Sequence, residues 1–166
     1  MFGGSKNDYA DEIHIDNNNV IYLTGSTKSS DFIGTVDEES YFIISINGRD
    51  VINSTLIEST KVQDSAIIND KIYLISESEV HPSSNQIDAS FTNSGADINL
   101  YQLNLDLSFE WALKVFGNDI DWPWSIIEIN SELYLGGFTT STDNDFKDRP
   151  NNTNEIGVII RIEMDD

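Results

Sequence analysis

A nine-residue stretch, Asn19 to Thr27 (N-V-I-Y-L-T-G-S-T), is echoed twice more along the chain, as Lys71 to Ser76 (K-I-Y-L-I-S) and Glu132 to Gly137 (E-L-Y-L-G-G). The shared tyrosines, Tyr22, Tyr73 and Tyr134, stand 51 and 61 residues apart. Repetition at that period means one supersecondary unit used several times. The units are built of strands. Glu12 to Asp16 alternates polar and apolar residues, with Ile13 and Ile15 on one face and His14 on the other. Tyr41 to Ile46 is a run of β-branched and aromatic residues, the types that suit a pleated surface. Turn residues separate the runs: Asn17 to Asn19, Asn47-Gly48, Asn69-Asp70 and Asn130-Ser131. No apolar spacing of 3.6 residues is sustained over ten or more positions, so helical repeats are not expected.

The units follow one order. Phe116-Gly117-Asn118 answers Phe2-Gly3-Gly4; strands at 20–25, 71–76 and 132–138 follow, then third strands at 41–46, 99–104 and 157–162. Fourth strands stand at 51–58 and 109–115, and the last unit has none. The expectation is an all-β chain of β-propeller type, a single domain of three four-stranded antiparallel blades over 2–58, 59–115 and 116–166, the last incomplete. A sandwich also has short strands and polar turns, but gives no reason for one pattern to recur in one order. Closed propellers use typically four to eight blades. Three are too few, so the chain is expected to be part of a longer propeller or to self-associate.

Charge narrows the partners. There are 29 acidic residues against 9 basic ones, a net charge of −20. Nucleic acid and anionic membrane both need Lys and Arg to displace counterions, so neither is an expected partner. No apolar run approaches the roughly 20 residues needed to cross a bilayer, and residues 1–6 lack the basic-then-apolar plan of a signal peptide. With no cysteine, disulfides and thiolate metal sites are ruled out.

Carboxylates invite calcium, which takes six to eight oxygens. The best cluster is Asn118, Asp119 and Asp121, paralleled by Asn7, Asp8 and Asp11, with Asp143, Asn144, Asp145 and Asp148 next. None has the twelve-residue EF-hand spacing, and Asp and Asn also hold turns by bonding their own backbone. Trp122 and Trp124, about Pro123, are candidates to stack on a sugar or a cation; packing between sheets, where Trp111 also belongs, is the competing role. His14 and His81 lack matched spacing for zinc. No nucleophile elbow, phosphate loop or H-E-x-x-H occurs. Paired carboxylates for glycoside hydrolysis, such as Glu12 with Asp16 or Asp121 with Glu128, arise readily by chance in so acidic a chain.

Taken together, Gly3-Gly4-Ser5, Asp8-Tyr9, Ile13, Asp16, Asn19, Tyr22, Thr24-Gly25-Ser26-Thr27, Ser30-Asp31-Phe32 and Tyr41-Phe42 resemble the bacterial "seven-bladed β-propeller" repeat family. The resemblance is strong over 2–50 and 110–162 and weaker over 55–105, where Ser76-Glu77-Ser78 replaces T-G-S-T. It implies a large secreted or cell-surface bacterial protein, and the family has no shared catalytic motif. The expected role is therefore a noncatalytic module that binds a protein or glycan; the alternative is a propeller hydrolase acting on polysaccharide through paired carboxylates.

Overall fold

The structure is a computed structural model and describes residues 2–34, 39–57, 61–78, 96–130, 132–149 and 155–163. Glu58, His81 and Ser131, with residues 37–38, 82–95 and 150–154, lie outside them. Three antiparallel sheets follow one another along the chain. The first holds β1 (Asp8–Ile15), β2 (Ile21–Thr27), β3 (Ser40–Asn47) and β4 (Asp50–Ile57), paired in chain order. The second holds β5 (Val62–Ile68), β6 (Lys71–Ser78), β7 (Asp97–Asn104) and β8 (Phe109–Val115). The third has three strands, β9 (Asp121–Ile129), β10 (Glu132–Thr139) and β11 (Ile156–Ile162). One short 3₁₀ turn, Asn144–Phe146, is the only helical segment among the described residues.

The turn residues act as their chemistry requires. Asn69 and Asp70 take φ of +48° and +59° between β5 and β6, a left-handed pair that Asn and Asp tolerate. Between β3 and β4 the two loop residues are Gly48 and Arg49, one position later than the Asn47-Gly48 pair suggests; Asn47 still pairs with Asp50, and Gly48 supplies the positive φ.

Pairing register makes the three sheets comparable residue by residue. In each, one residue of the first strand bulges out of the ladder: Asp11 between Ala10↔Gly25 and Glu12↔Thr24, Gln63 between Val62↔Ser76 and Asp64↔Ile75, Trp124 between Pro123↔Gly137 and Ser125↔Gly136. Gly25, Ser76 and Gly137 are thus one position, and Tyr22, Tyr73 and Tyr134, three residues earlier, are another. A bulge sharpens local twist and re-aims the strand, so its recurrence gives the three sheets one shape.

The second sheet packs between the other two. Tyr22 and Ile43 of the first sheet meet Ile72, Leu74, Tyr101 and Leu103 of the second. On its other face, Tyr73, Ile75, Ile98 and Leu100 meet Ile126, Leu133, Leu135 and Phe146. The Tyr22 hydroxyl crosses to the next sheet and donates to the Leu105 carbonyl at 3.2 Å. Each fully buried Leu or Ile of these layers contributes about 1.5–3 kcal/mol.

Candidate functional site

The acidic cluster singled out in the sequence belongs to a hydrogen-bond lattice that occurs twice. In the first sheet Thr27 Oγ1 donates to Asp8 Oδ1 (2.5 Å), Ser29 Oγ donates to Asp8 Oδ2 (3.0 Å), and the Ser29 N–H donates to Thr27 Oγ1 (2.9 Å). In the third, Thr139 Oγ1 donates to Asp121 Oδ1 (2.5 Å), Ser141 Oγ to Asp121 Oδ2 (3.0 Å), and the Ser141 N–H to Thr139 Oγ1 (3.0 Å). The preceding loops match as well. Ser5 and Asn118 donate their N–H to Asp31 and Asp143, and Lys6 and Asp119 donate theirs to Ser29 and Ser141. The motif is G-x-x-x-D at one end and T-x-S-x-D at the other, with Gly4 and Gly117 equivalent because both bond the aspartate four residues on. A Cβ at either glycine would overlap the serine of its lattice.

This register differs by one residue from the sequence alignment of Phe2-Gly3-Gly4 with Phe116-Gly117-Asn118: Gly117 matches Gly4, and Asn118 matches Ser5. Asp8 is the partner of Asp121; Asn7 joins only through its carbonyl, which accepts the Lys28 N–H as Ile120 accepts that of Thr140, and Asp11 is the bulge residue outside the lattice. The lattice also explains why β1 begins at Asp8, before the expected Glu12, and why β2 and β10 run on through Thr27 and Thr139. Hydroxyls that read as loop residues are here satisfied inside the strand pair.

Asn118 and Asp119 join through their main-chain N–H groups, and the Asp119 carboxylate accepts the N–H of Ile120 (3.0 Å). Asp143 and Asp145 likewise accept the N–H of Asn118 and Phe116. The two Asp121 oxygens already receive two hydroxyls and the Gly117 N–H in a fully buried position, an arrangement that does not fit the open multi-oxygen shell of calcium. Among the described residues no three His, Asp or Glu side chains are arranged to hold a metal ion.

The same donors leave the two aspartates with opposite acidities. Asp8 lies below its usual pKa, held there first by the Thr27 hydroxyl. Asp121 is pushed up to about 6, first by burial, which the Thr139 and Ser141 hydroxyls only partly offset, and further by Asp97. The difference is the neighbour. Asp121 sits against the second sheet, where its N–H donates to the Ala96 carbonyl (2.7 Å) beside the buried Asp97–Lys114 ion pair. Asp8 lies on the first sheet and keeps partial access to water.

Of the tryptophans, Trp124 is the bulge residue of β9 and is exposed, its ring 5.5 Å from that of Phe138. Trp122 is half-buried and pairs with Phe138 across the ladder. Trp111 packs between the second and third sheets against Tyr73, their rings 6.2 Å apart.

One polar cluster is invisible in the sequence because its members are some 50 residues apart. At the contact of β1 with β5, Ser65 Oγ donates to Glu12 Oε2 (2.6 Å) and lies 2.8 Å from His14 Nε2. A hydroxyl has one proton, so with that proton on Glu12 the imidazole is the donor to Ser65. Asp64 also reaches Glu12 and accepts the N–H of Ile126 in β9 at 2.8 Å, tying three first strands together. Asp64 is pushed up to about 6 by burial and by the Glu12 carboxyl beside it. Burial also raises Glu12, but bonds from His14, Asp64 and Ser65 outweigh it and leave Glu12 low. When the pair holds a single proton, as it does below about pH 6, Asp64 is the favoured site for it.

Neither carboxylate pair suggested by the sequence forms a site. Asp16 accepts the N–H groups of Asn18 and Val20 in its own turn, four residues along from Glu12. Asp121 is sealed in its lattice, whereas Glu128, seven residues away, is exposed. Compared with known proteins, the sequence matches no family model, and no curated protein shows a significant match.

Proposed function

We propose that this chain is a β-propeller-type repeat module acting as a noncatalytic binding scaffold for a protein or glycan, in the secreted or cell-surface setting that its repeat resembles. The observation that supports binding is Trp124, exposed at the bulge of β9 with its ring 5.5 Å from that of the half-buried Phe138. A rigid sheet that presents an aromatic platform stacks a sugar ring or an apolar side chain without ordering a loop. The observation that speaks for a noncatalytic role is how the acidic groups are used. The serine nearest a histidine is buried and donates its proton to Glu12, a carboxylate held well below its usual pKa and therefore a weak base for activating it, while the imidazole is occupied in donating to the serine.

The polysaccharide hydrolase is the second reading, favoured by one observation: Glu12 and Asp64 have acidities driven apart, the mark of an acid and base pair. Their hydrogen bond argues the other way, since glycosidase carboxyls stand roughly 5 Å or more apart to admit a glycosidic bond. The test is binding of the whole chain to a glycan and protein array, with and without Ca²⁺, followed by product analysis on the glycans bound. The expected outcome is retention of an unmodified ligand, lost in Trp124→Ala. Released product that disappears in Glu12→Gln would establish the hydrolase instead. With ionic strength held constant at about 0.15 M so that screening does not change, added Ca²⁺ is expected to leave the melting temperature unchanged, because any ligand selective for the folded state must raise it.

A further inference from the structure

The third sheet shows to solvent a face whose counterparts are core. By register Ile159 occupies the position of Leu100 and Ile43: Thr24 pairs with Ile43, Ile75 with Leu100 and Gly136 with Ile159. Leu100 is 0% exposed and Ile43 1%, but Ile159 is 81% exposed. Tyr22 and Tyr73 are buried under the following sheet, whereas Tyr134 is half-buried. Ile127, at the position of His14 and Ala66, is exposed.

The first sheet carries the complementary deficit on its opposite face. Ile13 holds the position of Ser65 and Ile126, pairing with Leu23 as they pair with Leu74 and Leu135. Ile126 is 6% exposed beneath the preceding sheet, and Ile13 is 63% exposed. Ile15 is exposed too.

We propose that a second copy of this chain covers the third sheet, head to tail, seating its first sheet there as the second sheet seats on the first and the third on the second. The contact that would form is already present twice. Position 12 meets position 65 through the Glu12–Ser65 bond, and the equivalent position 64 meets 126 through the Asp64–Ile126 bond. Carried one step on, Ser125 and Ile127 of one copy meet Ile13 of the next, two exposed isoleucines replacing the polar His14–Ser65 contact. Arg161 on this face is paired with both Glu132 and Glu163, a local excess of one negative charge, so the contact between two acidic chains is expected to need screening by salt. Such a contact is heterologous, giving a ring if two copies close and an open chain if they do not.

The absence of cysteine permits a clean test. Ile127→Cys and Ile13→Cys proteins are mixed and oxidised in about 1 M salt, where the Debye length is about 3 Å and the repulsion between chains of charge −20 is screened. The mixture is expected to give disulfide-linked dimers that neither variant gives alone. In sedimentation at the same salt the unmodified chain is expected to associate, and Ile159→Asp and Ile13→Asp each to weaken association more than about tenfold, since either buries a charge in an apolar contact. Circular dichroism checks that both variants keep the fold. A monomer at every salt concentration overturns the proposal. So do cross-linked dimers of Ile127→Cys alone, or association indifferent to Ile13→Asp, both of which mean a symmetric contact.

Discussion

Asp8 and Asp121 occupy one lattice in two sheets, and the second sheet beside Asp121 sets them apart. Asp121 has its folded pKa raised from 3.8 to about 6, so the native state binds that proton more tightly than the unfolded chain does. Its contribution is fully present below pH 3.8 and is lost as pH rises through about 6. Asp8 is lowered, so its contribution is present above the unfolded value and is lost as pH falls through the folded one. Urea denaturation across a pH series is expected to show this directly. Asp121→Asn flattens the decline between about pH 4 and 7 by on the order of 2 kcal/mol, leaving the part due to Asp64. Asp8→Asn alters only the acid limb. If both variants shift the same limb, burial is not what separates them.

At the scale of the element, the first and third sheets bring their strand backbones so close at the bulge that Gly25 lies against the Tyr9 carbonyl and Gly137 against that of Trp122, whereas the same position in the second sheet holds Ser76. A methyl group at either site overlaps an oxygen of the adjacent strand. Gly25→Ala and Gly137→Ala are expected to cost about 1–3 kcal/mol each in urea melts. Gly48→Ala meets no atom and strains only a left-handed φ, at about 1 kcal/mol. Equivalent apolar positions should diverge as well. Leu100→Ala empties a sealed site and is expected to cost about 2–5 kcal/mol, whereas Ile159→Ala in dilute, low-salt protein should stay within about 0.5 kcal/mol.

For the whole molecule, a charge of −20 opposes any compact state, so the melting temperature is expected to rise as salt increases from about 0.01 to 0.15 M and the Debye length falls from about 30 to about 8 Å. The all-β class, the three repeats and the shared position of the three tyrosines were legible in the sequence. Alternation with period two and the positive φ of Asn69 and Asp70 are local properties, written in neighbouring residues. The extent of β1 and the one-residue offset between Gly4 and Gly117 were not, because they depend on hydroxyls of Thr27 and Thr139 reaching an aspartate some 20 residues away. Of the candidate site, the sequence located Asn118, Asp119 and Asp121 at one strand entrance and Trp124 among the unusual aromatics. It did not reveal that Asp121 is sealed, that Ser65 joins Glu12 and His14, or that Ile159 is bare where Leu100 is buried. Those differences arise between residues in equivalent local surroundings, and what separates them is which sheet stands next: burial and desolvation are fixed by the neighbour, and the neighbour is a property of the tertiary structure.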